Sequence, residues 1–154
     1  MIEKMVKQIQ GPVIGFFTRE IKEKGRRVGF AIITLDGKEG ILAHEESKSP
    51  RRVGKYGVNI DELDRIAVPS IIPSQPDQIV IIDEIGKMEC FSPLFRGTLI
   101  KALDSANPVI GSIAQKGNPF IEKIKERKDV RLVTVSQKNR DSLPPYLLEQ
   151  IPAK

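Results

Sequence analysis

The chain is built around the stretch Gln78–Glu89, which reads QIVIIDEIGKME. Its apolar run, Ile79–Ile82, is uninterrupted and rich in β-branched side chains, which predicts a strand buried on both faces. Asp83 and Glu84 follow at once. Open α/β sheets bind their ligands at the carboxyl ends of the strands. We therefore expect the two carboxylates to stand at the ligand-binding edge of a mostly parallel sheet flanked by helices.

An acid pair at the end of a buried strand has the pattern of a Walker B strand. In that interpretation Asp83 holds Mg²⁺, directly or through a water, and Glu84 orients and deprotonates the water that attacks a γ-phosphate. A plain alternative stays open at this point. The same residues could be a core strand that ends in two solvated acids, because short apolar runs are ambiguous.

Upstream of this strand the sequence predicts a helix and then antiparallel strands. Residues 1–9 carry apolar side chains at helical spacing, and Gly11-Pro12 ends the pattern. Strands are expected at Val13–Ile21, Val28–Leu35 and Ile41–Ala43, with turns at Lys24–Arg27 and Asp36-Gly37. These neighbours should pair as an antiparallel hairpin with one further strand.

Downstream, helices and strands alternate, which predicts parallel βαβ units. Asn59 is expected to cap a helix, with Glu62 completing a capping box and Pro69 kinking or shortening it. Ser92 is expected to cap the next helix. The remaining expected elements are a strand at Val109–Ala114, a helix at Phe120–Arg127 opened by Asn118-Pro119, a strand at Val130–Val135, and a C-terminal helix at Asn139–Ile151 interrupted by Pro144-Pro145.

The segment Asp83–Glu89, DEIGKME, resembles the signature of the THEP-type nucleoside-triphosphatases. Gly15–Glu20, Gly25–Phe30, Val53–Asn59 and Asn139–Asp141 are similar to other segments of that family, so the resemblance covers nearly the whole chain. It implies a single domain over residues 1–154 with a P-loop NTPase-like α/β fold of the RecA/ASCE type. It also implies a Mg²⁺-dependent enzyme that hydrolyses a nucleoside triphosphate, such as ATP or GTP, to NDP and phosphate.

The resemblance assigns roles within this segment. Glu84 is the catalytic base and Asp83 is the metal-side acid. One wall of the nucleotide site is formed by Val80, Ile81, Ile82, Asp83, Glu84, Ile85 and Gly86.

A Walker B strand works together with a Walker A loop, Gly-x-x-x-x-Gly-Lys-Ser/Thr, whose N–H groups and Lys bind the phosphates. The sequence has Gly-Lys at Gly37-Lys38, Gly54-Lys55 and Gly86-Lys87, and none is followed by Ser or Thr. In the family this loop and its strand precede the helix that residues 1–9 resemble. We therefore expect a chain that starts late, with the first P-loop strand missing, and little or no turnover by these residues alone.

A second hypothesis comes from the same missing loop. The chain would then be a non-catalytic fragment or pseudoenzyme without a P-loop, acting as a binding module for a protein or nucleic-acid partner.

Several polar residues outside the acid pair are weaker candidates for phosphate or base contacts. Arg26 and Arg27, expected in the hairpin turn, could reach a γ-phosphate, although a solvated turn is the preferred interpretation. Lys87 could shape the phosphate pocket or form a surface ion pair. Asn139 and Arg140 could line the base or ribose, or Asn139 could cap a helix.

Composition limits the classes of function. One cysteine, Cys90, rules out an intrachain disulfide and fits a reducing cytoplasm. Its apolar sequence neighbours favour a packing role over a nucleophilic one. The net charge of +5 would attract polyphosphates but does not indicate nucleic-acid binding. No apolar run approaches the length of roughly 18 residues that a membrane span needs.

A sheet that lacks a strand leaves backbone groups unpaired, each costing about 1–3 kcal/mol when buried. We expect this chain to be less stable than a form that carries the missing strand, and to form a homodimer through the exposed sheet edge. Sedimentation equilibrium and thermal melts of both forms measure this. A monomer that melts as high as the extended form contradicts the expectation.

Overall fold

A computed structural model describes residues 2–149, and its seven strands form one sheet in the order β4-β5-β3-β2-β1-β6-β7. The strands are β1 (Val13–Glu23), β2 (Arg26–Thr34), β3 (Glu39–His44), β4 (Arg52–Val53), β5 (Tyr56–Val58), β6 (Ile79–Ile85) and β7 (Val109–Ile113). The helices are α1 (Ile2–Gln8), α2 (Ile60–Glu62), α3 (Val68–Ser70), α4 (Pro93–Asp104), α5 (Pro119–Lys125) and α6 (Leu143–Glu149). None of the described helices is long and apolar enough to cross a membrane.

The sheet divides into a parallel and an antiparallel part. The ladders β1–β6 and β6–β7 are parallel, and β6, the middle strand of these three, carries Asp83 and Glu84. The ladders β1–β2, β2–β3, β3–β5 and β4–β5 are antiparallel. The expectation of parallel strands therefore holds for the core strands, while the outer part of the sheet is antiparallel.

Strand β6 is buried on both faces, as its apolar run predicts. Val80 and Ile82 belong to the larger core, which the sheet forms with the helices between residues 60 and 125. Ile79 and Ile81 point the other way, into a smaller core that includes Ile2 and Met5 of α1 and contacts α6. Successive side chains of a strand alternate between faces, so this strand fills both cores at once.

The β1–β2 hairpin turns at Lys24 and Gly25, whose φ angles are 51° and 77°. A two-residue turn with both φ angles positive matches the right-handed twist of the strands that it joins. Arg26 and Arg27 therefore begin β2, and their expected place in the turn is wrong. A second tight hairpin, β4–β5 around Gly54, was not expected from the sequence.

The helical run over residues 60–70 is not a regular α-helix. A π-helical segment, Leu63–Ala67, separates α2 from α3, and Pro69 lies inside α3. Proline has no N–H to donate to the preceding turn, and a wider turn accommodates that loss. The expected capping box is wrong: Asn59 makes no side-chain cap, since its amide instead binds Ser47 and the carbonyl of Ile41.

Two other caps are confirmed. Ser92 Oγ accepts the Phe95 N–H at 3.0 Å at the start of α4, and Asn118 Oδ1 accepts the Ile121 N–H at 2.9 Å at the start of α5. The C-terminal helix differs from its prediction, because it begins at Leu143 with Pro144 in its first turn. Proline is tolerated there, since the first N–H groups of a helix have no intrahelical partner. Residue 151 lies outside the described residues.

The strand predicted at Val130–Val135 is wrong. This segment forms no ladder with any of the described strands, and Leu132 and Val135 are each 52% exposed. β-branched residues favour an extended chain, but a strand forms only where a neighbour pairs with its backbone groups. Strand β7 likewise pairs with β6 alone among the described strands.

The cap of α4 provides a stability test. Ser92 is buried and its hydroxyl also donates to Asp64, so Ser92→Ala removes a cap and leaves that carboxylate without its partner. We expect the free energy of unfolding to fall by about 2–3 kcal/mol, against about 1 kcal/mol for Asn118→Ala, which removes a cap only. Urea denaturation measures both variants. Equal losses would show that the contact with Asp64 contributes nothing.

Candidate active site

The β1–β6 ladder sets the position of the acid pair. Phe17 of β1 lies opposite Asp83, at the last paired position of the β1–β6 ladder and two residues before β6 ends. Asp83 is half-buried, and Glu84, joined to it by a cis peptide bond, is exposed. The two carboxylates therefore stand at the carboxyl edge of a buried strand, where the sequence predicted them.

Gly15 allows this ladder to form. Its φ is +127°, and a Cβ at this position would overlap the backbone carbonyl of Ile81. Only glycine adopts such a backbone without strain and leaves room for so close a neighbour. Gly15 lies two residues before Phe17, so it helps to hold β1 in register with the end of β6.

Ser112 of β7 is a site residue that sequence reasoning missed. Its hydroxyl donates to Asp83 Oδ1 at 2.6 Å, which orients the carboxylate and leaves its second oxygen free of this bond. The sequence did contain a signal for this residue, because Ser112 is the single polar residue of the strand VIGSI. The carboxyl ends of neighbouring parallel strands lie at the same edge of a sheet, so a polar residue near the end of β7 lies close to the end of β6. The periodicity of β7 alone did not identify its partner.

Glu84 lies in the electrostatic field of the neighbouring Asp83 carboxylate. The pKa of Glu84 is raised, first by partial burial and then by the charge of Asp83. Neither acid forms an ion pair with a Lys, Arg or His among residues 2–149. A carboxylate with a raised pKa is a better proton acceptor near neutral pH than an ordinary glutamate.

A third carboxyl group, Glu89, lies beside this pair. It is 2% exposed, and burial, followed by the charges of Glu84 and Asp83, raises its pKa to about 8. The pKa of Cys90 is raised to about 12 by burial and by Glu89, so its thiol stays protonated. The geometry thus agrees with a packing role for Cys90.

Asp83 is the residue of this edge that could hold a metal ion with oxygen ligands, such as Mg²⁺. No group of three or more His, Cys, Asp or Glu side chains that could enclose a metal occurs in the part of the chain that the structure describes. Magnesium prefers oxygen ligands and is usually bound by one or two carboxylates, with waters and substrate phosphates completing the shell. Asp83, fixed by Ser112, is such a carboxylate.

Arg26 and Arg27 are not brought to the acid pair. Arg26 lies opposite Glu23, six residues along β1 from Phe17, or about 20 Å at the usual rise of a strand. It binds Glu45 through two hydrogen bonds of 2.8 and 2.9 Å, which lower the pKa of Glu45 to about 2. Arg27 donates to the Tyr56 hydroxyl at 3.0 Å and lies over the ring of Phe30.

The other weaker candidates are scattered. Lys87 is exposed in the turn after β6 and forms no ion pair with another described residue. Asn139 lies in the loop before α6, where its amide donates to the Thr134 carbonyl and accepts the Ser136 N–H. Arg140, in the same loop, is exposed.

Most side chains of the predicted nucleotide wall face the protein interior. Val80, Ile81 and Ile82 are 0% exposed, and Ile85 and Gly86 are also buried. The buried residues therefore pack in the protein interior next to the acid pair. Within Val80–Gly86, only the side chains of Asp83 and Glu84 are accessible to solvent.

The pKa of Glu89 predicts a pH dependence of stability. The folded-state pKa of about 8 lies above the ordinary value of 4.5, so this group favours folding below pH 4.5 and loses that contribution as the pH rises to 8. We expect wild type to lose several kcal/mol over this range relative to Glu89→Gln, which stays neutral. Urea denaturation of both proteins from pH 4 to 9 measures the difference. A difference that does not change with pH contradicts the assignment.

Comparison with known proteins identifies the family. A family model described as NTPase matches residues 1–148. The chain is 47% identical over 144 residues to the nucleoside-triphosphatase THEP1 of Thermotoga sp. (strain RQ2), covering 93% of this chain and 82% of that protein. It is 38% identical over 151 residues to the human cancer-related nucleoside-triphosphatase, covering 89% and 80%.

A solved structure agrees with these matches. The crystal structure of THEP1 from the hyperthermophile Aquifex aeolicus superposes with a TM-score of 0.89 and 31% identity, over 99% of this chain and 91% of that one. The resemblance seen in the sequence is confirmed, and the chain belongs to the THEP1 family of nucleoside-triphosphatases.

Proposed function

We propose that this chain serves the Mg²⁺-dependent hydrolysis of a nucleoside triphosphate to NDP and phosphate. The observation that carries the proposal is the acid pair Asp83–Glu84 at the carboxyl end of buried β6, with Asp83 held by Ser112 from the neighbouring parallel strand. The relatives named above are described as nucleoside-triphosphatases. The fold proposed with this function is the RecA-type P-loop NTPase arrangement.

Each acid has one role in the proposed reaction. Asp83, oriented by the Ser112 hydroxyl, would hold Mg²⁺, which would supply positive charge to neutralise the phosphates. Glu84 accepts a proton from the attacking water as the bond between that water oxygen and the γ-phosphorus forms. The bond from the γ-phosphorus to the bridging oxygen then breaks, and NDP leaves with the bridging oxygen. The exposure of Glu84 beside half-buried Asp83 supports this role, because water has access to its carboxylate.

A second candidate function follows from the sequence. The pattern Gly-x-x-x-x-Gly-Lys-Ser/Thr does not occur in residues 1–154. Its N–H groups and Lys supply much of the stabilisation of the transition state in P-loop enzymes. These residues on their own would then be a binding module for a protein or nucleic-acid partner, with little or no turnover.

One experiment separates the two candidates. Phosphate release from ATP, GTP, CTP and UTP with Mg²⁺ is measured on the 154-residue chain, together with Mg²⁺·nucleotide binding by calorimetry. In a form of the chain that carries a P-loop, Glu84→Gln should lower kcat by about 10²–10⁴-fold while the dissociation constant changes little, because the base acts on the water and not on the nucleotide. Glu122→Gln, an exposed acid of α5, is the matched control and should behave as wild type.

Each result has a definite meaning. Turnover that Glu84→Gln removes supports the enzyme, and turnover that survives this change removes Glu84 from the role of base. The absence of turnover by wild type supports the binding module. Full rates, equal to those of relatives that carry a P-loop, contradict the low turnover proposed for these residues alone.

A further inference from the structure

Glu89 is a buried carboxyl group that the proposed reaction does not use. It begins the 3₁₀ turn Glu89–Phe91, which follows the acid pair by only a few residues. A carboxyl buried to this degree is normally paired with a cation. Glu89 forms no ion pair with any Lys, Arg or His of residues 2–149. Its burial therefore has to be explained by what it binds in the backbone.

The side chain of Glu89 closes the loop that follows β6. Its Oε1 accepts the Gly86 N–H at 3.2 Å, and the Gly86 carbonyl accepts the Cys90 N–H at 3.0 Å. Gly86 is thus held through both its N–H and its C=O. The backbone two residues after Glu84 is consequently fixed to the turn that carries Glu89.

Gly86 also lies in contact with Glu84 itself. A Cβ built on Gly86 would lie 2.8 Å from Glu84 Oε1 and 2.9 Å from Glu89 Oε1. Both carboxyl groups therefore rest against the same glycine, and those two oxygens are less than about 6 Å apart, since each is within about 3 Å of one point. Position 86 has no room for a side chain without displacing one of them.

We propose that Glu89 is a positioning residue for Glu84. Glu89 binds the Gly86 N–H and so fixes the loop that follows β6. The Glu84 side chain rests against this loop, which keeps its carboxylate turned toward solvent. The inference rests on the proposed function, because it takes Glu84 to be the base. It adds a residue that touches neither nucleotide nor metal but sets the orientation of the group that activates water.

The variants separate the hydrogen bond from packing and charge. Glu89→Gln keeps an acceptor oxygen at the same reach, whereas Glu89→Met keeps the size and loses the acceptor. Cys90→Ala is the packing control, because Cys90 is equally buried and its backbone bond to Gly86 survives the change. Gly86→Ala tests the same loop from the other side, should Glu89→Met fail to fold.

The first measurement is amide hydrogen exchange at Gly86, which needs no turnover. We expect Glu89→Met to exchange at least about tenfold faster, the equivalent of one lost hydrogen bond, and Glu89→Gln to stay within about threefold of wild type. The second is steady-state hydrolysis. Glu89→Met and Gly86→Ala should lower kcat about tenfold or more with KM nearly unchanged, while Glu89→Gln and Cys90→Ala retain it.

Three results overturn the proposal. The first is a kcat of Glu89→Gln that falls as far as that of Glu89→Met. The second is a kcat that does not change in Glu89→Met. The third is an equal loss of kcat in Glu89→Met and Cys90→Ala. If wild type itself shows no turnover, the proposed function fails separately, and the ¹³C resonance of the Glu84 carboxyl decides the inference instead. Glu89→Met should shift that resonance and Glu89→Gln should leave it in place; no shift in Glu89→Met overturns the positioning role.

Discussion

The parallel ladder between β1 and β6 is the interaction on which the site depends. It brings Phe17 level with Asp83, and it requires Gly15, because any side chain there would collide with the backbone of Ile81. A shift of one residue in this register would exchange the two faces of β6 and expose its core side chains. The two hydrophobic cores on either side of β6 therefore fix the position along the sheet at which Asp83 and Glu84 become accessible to solvent.

The chemistry of the edge follows from its charge balance. Asp83, Glu84 and Glu89 gather there, and none of them has an ion-pair partner among residues 2–149. Burial first, and then repulsion between the carboxylates, raises the pKa values of Glu84 and Glu89, of which Glu84 is exposed and Glu89 is buried. The Mg²⁺ of the proposed function would reduce the repulsion between the carboxylates.

The surrounding elements hold this edge from several directions. Ser112 reaches Asp83 from β7, Gly86 is tied down by Glu89, and Ser92 anchors the start of α4 to Asp64 of the π-helical segment. The hairpin arginines contribute elsewhere: Arg26 and Arg27 bind Glu45, Glu20 and Tyr56, and so join the antiparallel strands to one another. Arg26 and Arg27 thus have a structural role in the antiparallel part of the sheet.

Local physical chemistry allowed much of this structure to be predicted. The apolar run of β6, the caps Ser92 and Asn118 and the acid pair at a strand end depend on neighbours within a few residues, so the sequence determined them. Features that depend on distant neighbours were predicted poorly. Val130–Val135 has strand composition but no partner strand among the described residues, and the capping potential of Asn59 is used by Ser47 and Ile41 instead.

By itself, then, the sequence determined the two-sided burial of β6, the chemistry available at its end and the family to which that chemistry belongs. The tertiary structure alone decided which groups meet the acids. Ser112 lies 29 residues from Asp83 along the chain, and only the β6–β7 register brings its hydroxyl to that carboxylate. Glu89 is close in sequence, but its role depends on burial, and burial is a property of the whole packed core.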